Sequence, residues 1–205
     1  MKALPINFNT EMMSAILEGR KTQTRRPVKP KIVELIEFMG GSNEENSSFD
    51  FVGLRHGEWK SDDGTVWGPE WLVYCTEYPE EGVEPVGELY GAIGDRLQAT
   101  DGERTATIEI TGFRVERLQE INEQDAIAEG MTFTDYGINQ FGNQQPGWLW
   151  RKSSSHEECL SSAKFAFANL WTSIYGARAW SNNPWVWVIE FKVLTTRSAI
   201  GDAAA

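Results

Sequence analysis

The stretch Arg96-Leu97-Gln98-Ala99-Thr100-Asp101-Gly102-Glu103-Arg104-Thr105-Ala106-Thr107-Ile108-Glu109-Ile110-Thr111-Gly112 decides the fold class. Residues 96–100 predict a strand, Asp101-Gly102 a tight turn, and residues 105–112 the returning strand of an antiparallel hairpin. On the return, Ala106, Ile108 and Ile110 face one way, while Thr105, Thr107, Glu109 and Thr111 face the other. That period of two marks a strand with one face on a core and one in water. Working outward, Asn183-Pro184 turns the chain into a last strand over residues 185–193, with Trp185, Trp187, Ile189 and Phe191 as its expected inner face. Residues 4–8 predict a short strand. Asn9 or Thr10 caps a helix with Met13, Ile16 and Leu17 on one face, and Gly19 stops it. Asn122 caps a short helix that stops at Gly130. Ser155 and Glu158 form a capping box for a helix that buries Leu160, Ala163, Phe167, Leu170, Trp171 and Ile174 and ends at Gly176. Short, mostly antiparallel strands with a few peripheral helices give an α+β fold around a small antiparallel β-barrel.

Two segments interrupt this pattern. Pro27 and Pro30 stop helix from running on, and from about residue 31 to 86 the composition loosens. A polar loop at residues 40–48 precedes strand-like pieces near 49–54 and 71–78, separated by the turn-former Asp62-Asp63-Gly64. The second segment, 135–153, is a loop rich in Gly, Asn and Gln. The expected organisation is one domain over residues 1–193, with insertions at about 27–87 (carrying its own hairpin) and 135–153. Residues 194–205 form a flexible tail.

Composition narrows the function. The chain of 205 residues has a formal net charge of -11, which argues against sequence-blind binding to duplex nucleic acid, a mode that needs many Lys and Arg contacts to phosphate. A small molecule, or a short single-stranded RNA, fits better. No run approaches the ~18 apolar residues of a membrane span, and the N-terminus lacks the apolar core of a signal peptide. A cytoplasmic protein is expected, with no membrane partner. Two histidines, and two cysteines far apart in sequence, give no metal-ligand spacing, so neither metal nor cofactor is expected. Nine tryptophans point to a core rich in large rings, one or two of which could line a pocket for a planar group.

On this acidic chain, Gly19-Arg20-Lys21-Thr22-Gln23-Thr24-Arg25-Arg26 concentrates positive charge. Lys21 and Thr24 are the residue types of a base and nucleophile pair, and face one side only if the backbone is helical or turned. Neighbouring Arg20, Arg25 and Arg26 would favour a neutral amine at Lys21. The same segment also fits a solvated basic surface at a helix C-terminus. Glu129, before Gly130, puts a carboxylate at the negative end of a helix, where a partner such as Lys21 would explain it; it also fits a plain exposed glutamate. Glu109 and Glu190 are competing carboxylates.

Gly19-x-Lys21-x-x-Thr24-x-Arg26 resembles the GxKxxTxR signature of ASCH domains, whose fold is a PUA-like β-barrel. The resemblance continues through Gly94-Asp95-Arg96-Leu97, Thr107-Ile108-Glu109-Ile110-Thr111, Ala128-Glu129-Gly130-Met131 and Trp187-Val188-Ile189-Glu190-Phe191-Lys192. It covers roughly residues 4–26 and 88–193 in consistent order, and the fuller pattern is similar to ASCH proteins of phages and prophages. The resemblance to small bacterial N4-acetylcytidine amidohydrolases implies a site of Lys21, Thr24 and Glu129. Arg26 and Gly19 would support substrate binding. The implied reaction removes the acyl group from an N4-acylated cytosine nucleoside. The same superfamily also implies a second reading, a non-catalytic module that binds RNA or a modified base, or a phage accessory protein.

Overall fold

The hairpin read from the sequence forms the middle of a five-stranded sheet. The computed structural model describes residues 4–40, 52–78, 82–87, 89–153 and 155–197, and its class is α+β. In chain order the elements are β1 (Leu4–Asn7), α1 (Thr10–Leu17), β2 (Gln23–Pro27), α2 (Pro30–Gly40), β3 (Val52–Lys60), β4 (Val66–Cys75), β5 (Glu84–Gly87), β6 (Arg96–Thr100), β7 (Thr105–Arg117), α3 (Glu123–Ala128), β8 (Thr132–Ile138), β9 (Gln144–Leu149), α4 (Ala163–Tyr175) and β10 (Trp185–Arg197). The large sheet runs β1-β6-β7-β10-β2 and curls into a half-barrel. Among its described residues, only β1 and β6 pair in parallel. Ala106, Ile108 and Ile110 are buried, as their alternation demands. The connection between β6 and β7 is wider than a two-residue turn: residues 101–104 form it, with the Asp101 carboxylate accepting the backbone N–H groups of Glu103 and Arg104.

The last strand departs from a one-sided reading. Trp185, Val186, Trp187, Val188 and Ile189 are all buried, because both faces of β10 are covered. Val186 and Val188 pack with Leu118, in the 3-10 turn before α3, and with Phe167, Leu170 and Trp171 of α4. Trp185 and Trp187 pack with Ile36 of α2 and Val73 of β4. Further along the same face, Ile189 and Phe191 close on Met13 and Ile16 of α1. Strand pairing continues to Arg197, so residues 194–197 of the expected flexible tail are strand. Residues 198–205 of that tail, and residues 41–48 of the polar loop expected at 40–48, lie outside the described residues; Gly40 ends α2.

Four local expectations change. Residues 30–40 are helical, since Pro30 occupies the first helical position, where a missing N–H costs nothing. The hairpin expected around Asp62-Asp63-Gly64 is β3–β4, and β5 extends it to a three-stranded sheet. Residues 135–153 are largely the β8–β9 hairpin, whose polar tip closes on the Asn139 side chain. The helix expected from Ser155 starts at Ala163. Ser162 caps it, and the Glu123 carboxylate accepts the N–H groups of Ala163 and Lys164. Ser155 caps only a short 3-10 turn over His156–Glu158. Both cysteines are free thiols, and among the described residues no helix is long and apolar enough to cross a membrane.

Candidate active site

Two glycine-terminated helices meet at the site. At the end of α1, Gly19 has φ +74° and its N–H bonds the Ile16 carbonyl, while the Arg20 N–H bonds the Ala15 carbonyl. At the end of α3, Gly130 has φ +102°, with Gly130 N–H on Ile127 and Met131 N–H on Ala126. Both are Schellman closures, which need a residue at positive φ. The chain leaving α1 lies against the end of α3: Thr22 donates its N–H to the Ala128 carbonyl at 2.8 Å and accepts the Phe191 N–H at 2.8 Å. Close approach is possible because Gly130 has no Cβ; one built there would lie 3.0 Å from Ala15 Cβ and 3.3 Å from Lys21 Cβ.

Lys21 and Glu129 therefore face each other inside the protein, each 2% exposed. Lys21 Nζ donates to Glu129 Oε2 at 2.5 Å and to the Glu129 backbone carbonyl at 3.0 Å. That carbonyl belongs to the negative end of α3, so the ammonium answers both the carboxylate and the helix terminus. An ammonium has three donors, and two of them are used on Glu129. Burial pushes the Lys21 amine below its ordinary value. The Glu129 charge and hydrogen bond oppose that shift, and the Arg26 and Arg25 charges add to it.

Thr24 and Arg26 lie on β2, an edge strand of the large sheet. The segment is a strand, not the turn that would bring Lys21 and Thr24 round by local geometry. They share a site because Lys21 precedes the strand in the cap of α1. No hydrogen bond joins Lys21 to Thr24; both open onto one cavity of about 230 Å³. Phe8, Phe167, Trp171 and Tyr175 supply its aromatic walls, and Lys21, Thr24, Arg25, Arg26 and Glu129 its polar side. Arg26 donates to the Asn7 carbonyl at 2.6 Å and sits 4.8 Å over the Phe8 ring. Gly19 does not line the cavity; it shapes the turn that delivers Lys21. No described residue from 27–87 or 135–153 lines it either.

Arg25, expected only as one of three positive charges beside Lys21, is the most connected cation of the site. Its guanidinium bonds Glu116 Oε1 at 2.5 and 3.0 Å, Asp125 Oδ2 at 2.9 Å and Glu129 Oε1 at 3.2 Å. Glu116 and Asp125 were missed as well. All three depend on contacts made 91 to 104 residues away, with no local spacing to announce them. The competing carboxylates lie elsewhere: Glu109 pairs with Lys192, and Glu190 with Arg114. Among the described residues no group of three or more His, Cys, Asp or Glu could hold a metal ion. Comparison of this chain with protein-family models, with curated proteins and with solved structures gives no match.

Proposed function

We propose that the chain is an ASCH-type protein of PUA-like fold that hydrolyses the exocyclic amide of N4-acylated cytosine nucleosides. The observation that carries this reading is the buried Lys21–Glu129 pair, with Thr24, on the polar side of an aromatic-walled cavity. A volume of about 230 Å³ suits a base-sized planar group better than a drug-sized ligand or a stretch of polymer. Aromatic rings stack on any base, whereas the polar side offers the base, nucleophile and cation that amide cleavage needs.

In this mechanism Lys21, as the neutral amine, takes a proton from the Thr24 hydroxyl or from a water held by it. The oxygen attacks the acyl carbon, and the oxyanion that forms is stabilised by Arg26, whose position Asn7 and Phe8 fix. Collapse breaks the bond to N4, which takes the proton back from Lys21 and leaves as the cytosine amine. If Thr24 has attacked, water then hydrolyses its ester by the same base. Glu129 holds Lys21 throughout and balances its charge when it is protonated.

Incubating the protein with N4-acetylcytidine should yield cytidine and acetate. Lys21→Ala and Thr24→Ala should each lower kcat by about 10²-fold or more. An absence of turnover above these variants overturns the enzymatic reading. Binding of the unhydrolysed nucleoside in its place would establish a reader of modified bases.

A further inference from the structure

We propose that Arg25 is a positioning residue: anchored by Glu116 and Asp125, it holds one oxygen of Glu129 while Lys21 holds the other. This rests on the amidohydrolase reading, in which Lys21 must shed its proton beside a carboxylate that would otherwise keep it charged.

The distances rank the anchors. Arg25 lies closest to Glu116 and Asp125, at 2.5 and 2.9 Å, and reaches Glu129 at 3.2 Å. Its side chain is fully buried, so it cannot relax into water. Glu116 and Asp125 are in turn paired with Arg114, which also bonds Glu190. The array thus alternates in sign from the half-exposed Arg114 inward to Lys21. The other charge at Lys21 is Arg26, on the same strand. Phe167 packs on the Arg25 guanidinium at 5.8 Å and Phe8 lies 5.9 Å from Lys21 Nζ, and neither ring titrates.

Two alternatives show why the division matters. Without Glu116 and Asp125, Arg25 would satisfy itself on Glu129 and compete with Lys21 for both oxygens. Without Arg25, the full carboxylate charge would face Lys21 and the repulsion between the two cations would vanish; both changes favour the ammonium. The Arg25 charge already acts on Lys21 in the opposite direction, together with burial and Arg26.

The test uses the intact chain with isotope-labelled lysine and follows the Lys21 side-chain NMR signals against pH without substrate, in the native protein, Arg25→Met and Arg25→Lys. Arg25→Met should raise the Lys21 midpoint by about one pH unit. Arg25→Lys, whose single ammonium settles on Glu116 and Asp125, should raise it by about half as much. The base works deprotonated, so the acidic limb of kcat/KM for N4-acetylcytidine should move to higher pH by the same amounts. At neutral pH, kcat should fall more than KM changes. Should Arg25→Met fail to fold, Arg25→Lys keeps the buried cation and decides. An unchanged Lys21 midpoint in folded Arg25→Lys overturns the inference, even if the native protein turns over substrate. A moved midpoint in a protein without turnover upholds it and removes the amidohydrolase reading.

Discussion

At the scale of single residues, Lys21 and Glu129 are an expensive way to fill a core. Burying an ion pair costs several kcal/mol of hydration per ion, and the return depends on geometry. The short contacts to the carboxylate and to the helix-end carbonyl supply that return, but only while both partners are present. Removing one leaves the other charged in a site 2% exposed. Glu129→Ala should therefore lower stability by about 3–5 kcal/mol in denaturant unfolding. The double variant Lys21→Met/Glu129→Leu replaces the pair with apolar groups of similar size. It should recover most of that loss while abolishing the proposed hydrolysis of N4-acetylcytidine. If the double variant is no more stable than Glu129→Ala, the pair is not a stability cost borne for chemistry. Sequence reading reached Lys21 and Glu129 together through the resemblance to the ASCH signature; the helix-end position of Glu129 asked for a cation but fitted an exposed glutamate as well. It undervalued Arg25 because alternation along a strand tells which side a residue takes, not which distant carboxylates wait there.

At the scale of elements, what was legible is what is local. The Gly19 and Gly130 stops, the Asn122 cap and the alternation of β7 are each decided within a few residues and each is as expected, and of Asn9 and Thr10 it is Asn9 that caps α1. The start of α4 was misjudged because Ser155 and Ser162 both cap, and only the distant Glu123 carboxylate favours the second. Pro30 was read as a stop, although proline is equally at home in a first helical turn. The two glycines also separate conformation from close packing. Gly19→Ala meets only open space, so the strain of positive φ is the whole effect, about 1 kcal/mol. Gly130→Ala adds contact with Ala15 and with Lys21 itself, and should cost about 2–3 kcal/mol. Thermal unfolding should rank the two variants in that order. Only Gly130→Ala should reduce the proposed turnover, by about tenfold or more, because the pressure falls on Lys21, the base of the proposed mechanism. Equal turnover in both would mean that the junction of the two helix ends does not position the site.

At the scale of the whole molecule, the inserted layer and the site sit on opposite faces of one strand. Val186 and Val188 look toward the α3–α4 layer that carries Glu129, while Trp185 and Trp187 look toward α2 and β4. Sequence gave the hairpin within residues 27–87, but not that its layer would seal the second face of β10: a run of alternating large residues fits a half-buried or a fully buried strand equally well. No described residue of the insertion lines the cavity; its described part covers the other face of β10. Trp71 of β4 is the joint. Its ring stacks 4.6 Å from Phe113 of β7, and its indole N–H donates to the Gly91 carbonyl at 2.8 Å. Trp71→Ala should cost about 3–5 kcal/mol by removing a buried ring. Because β10 is shared, the loss should be felt by the entire fold. Tryptophan fluorescence, far-ultraviolet circular dichroism and the proposed hydrolysis of N4-acetylcytidine should change in one coincident transition, shifted to lower denaturant. If fluorescence changes first while hydrolysis persists, the inserted layer unfolds by itself and β10 is not the shared strand on which both halves depend.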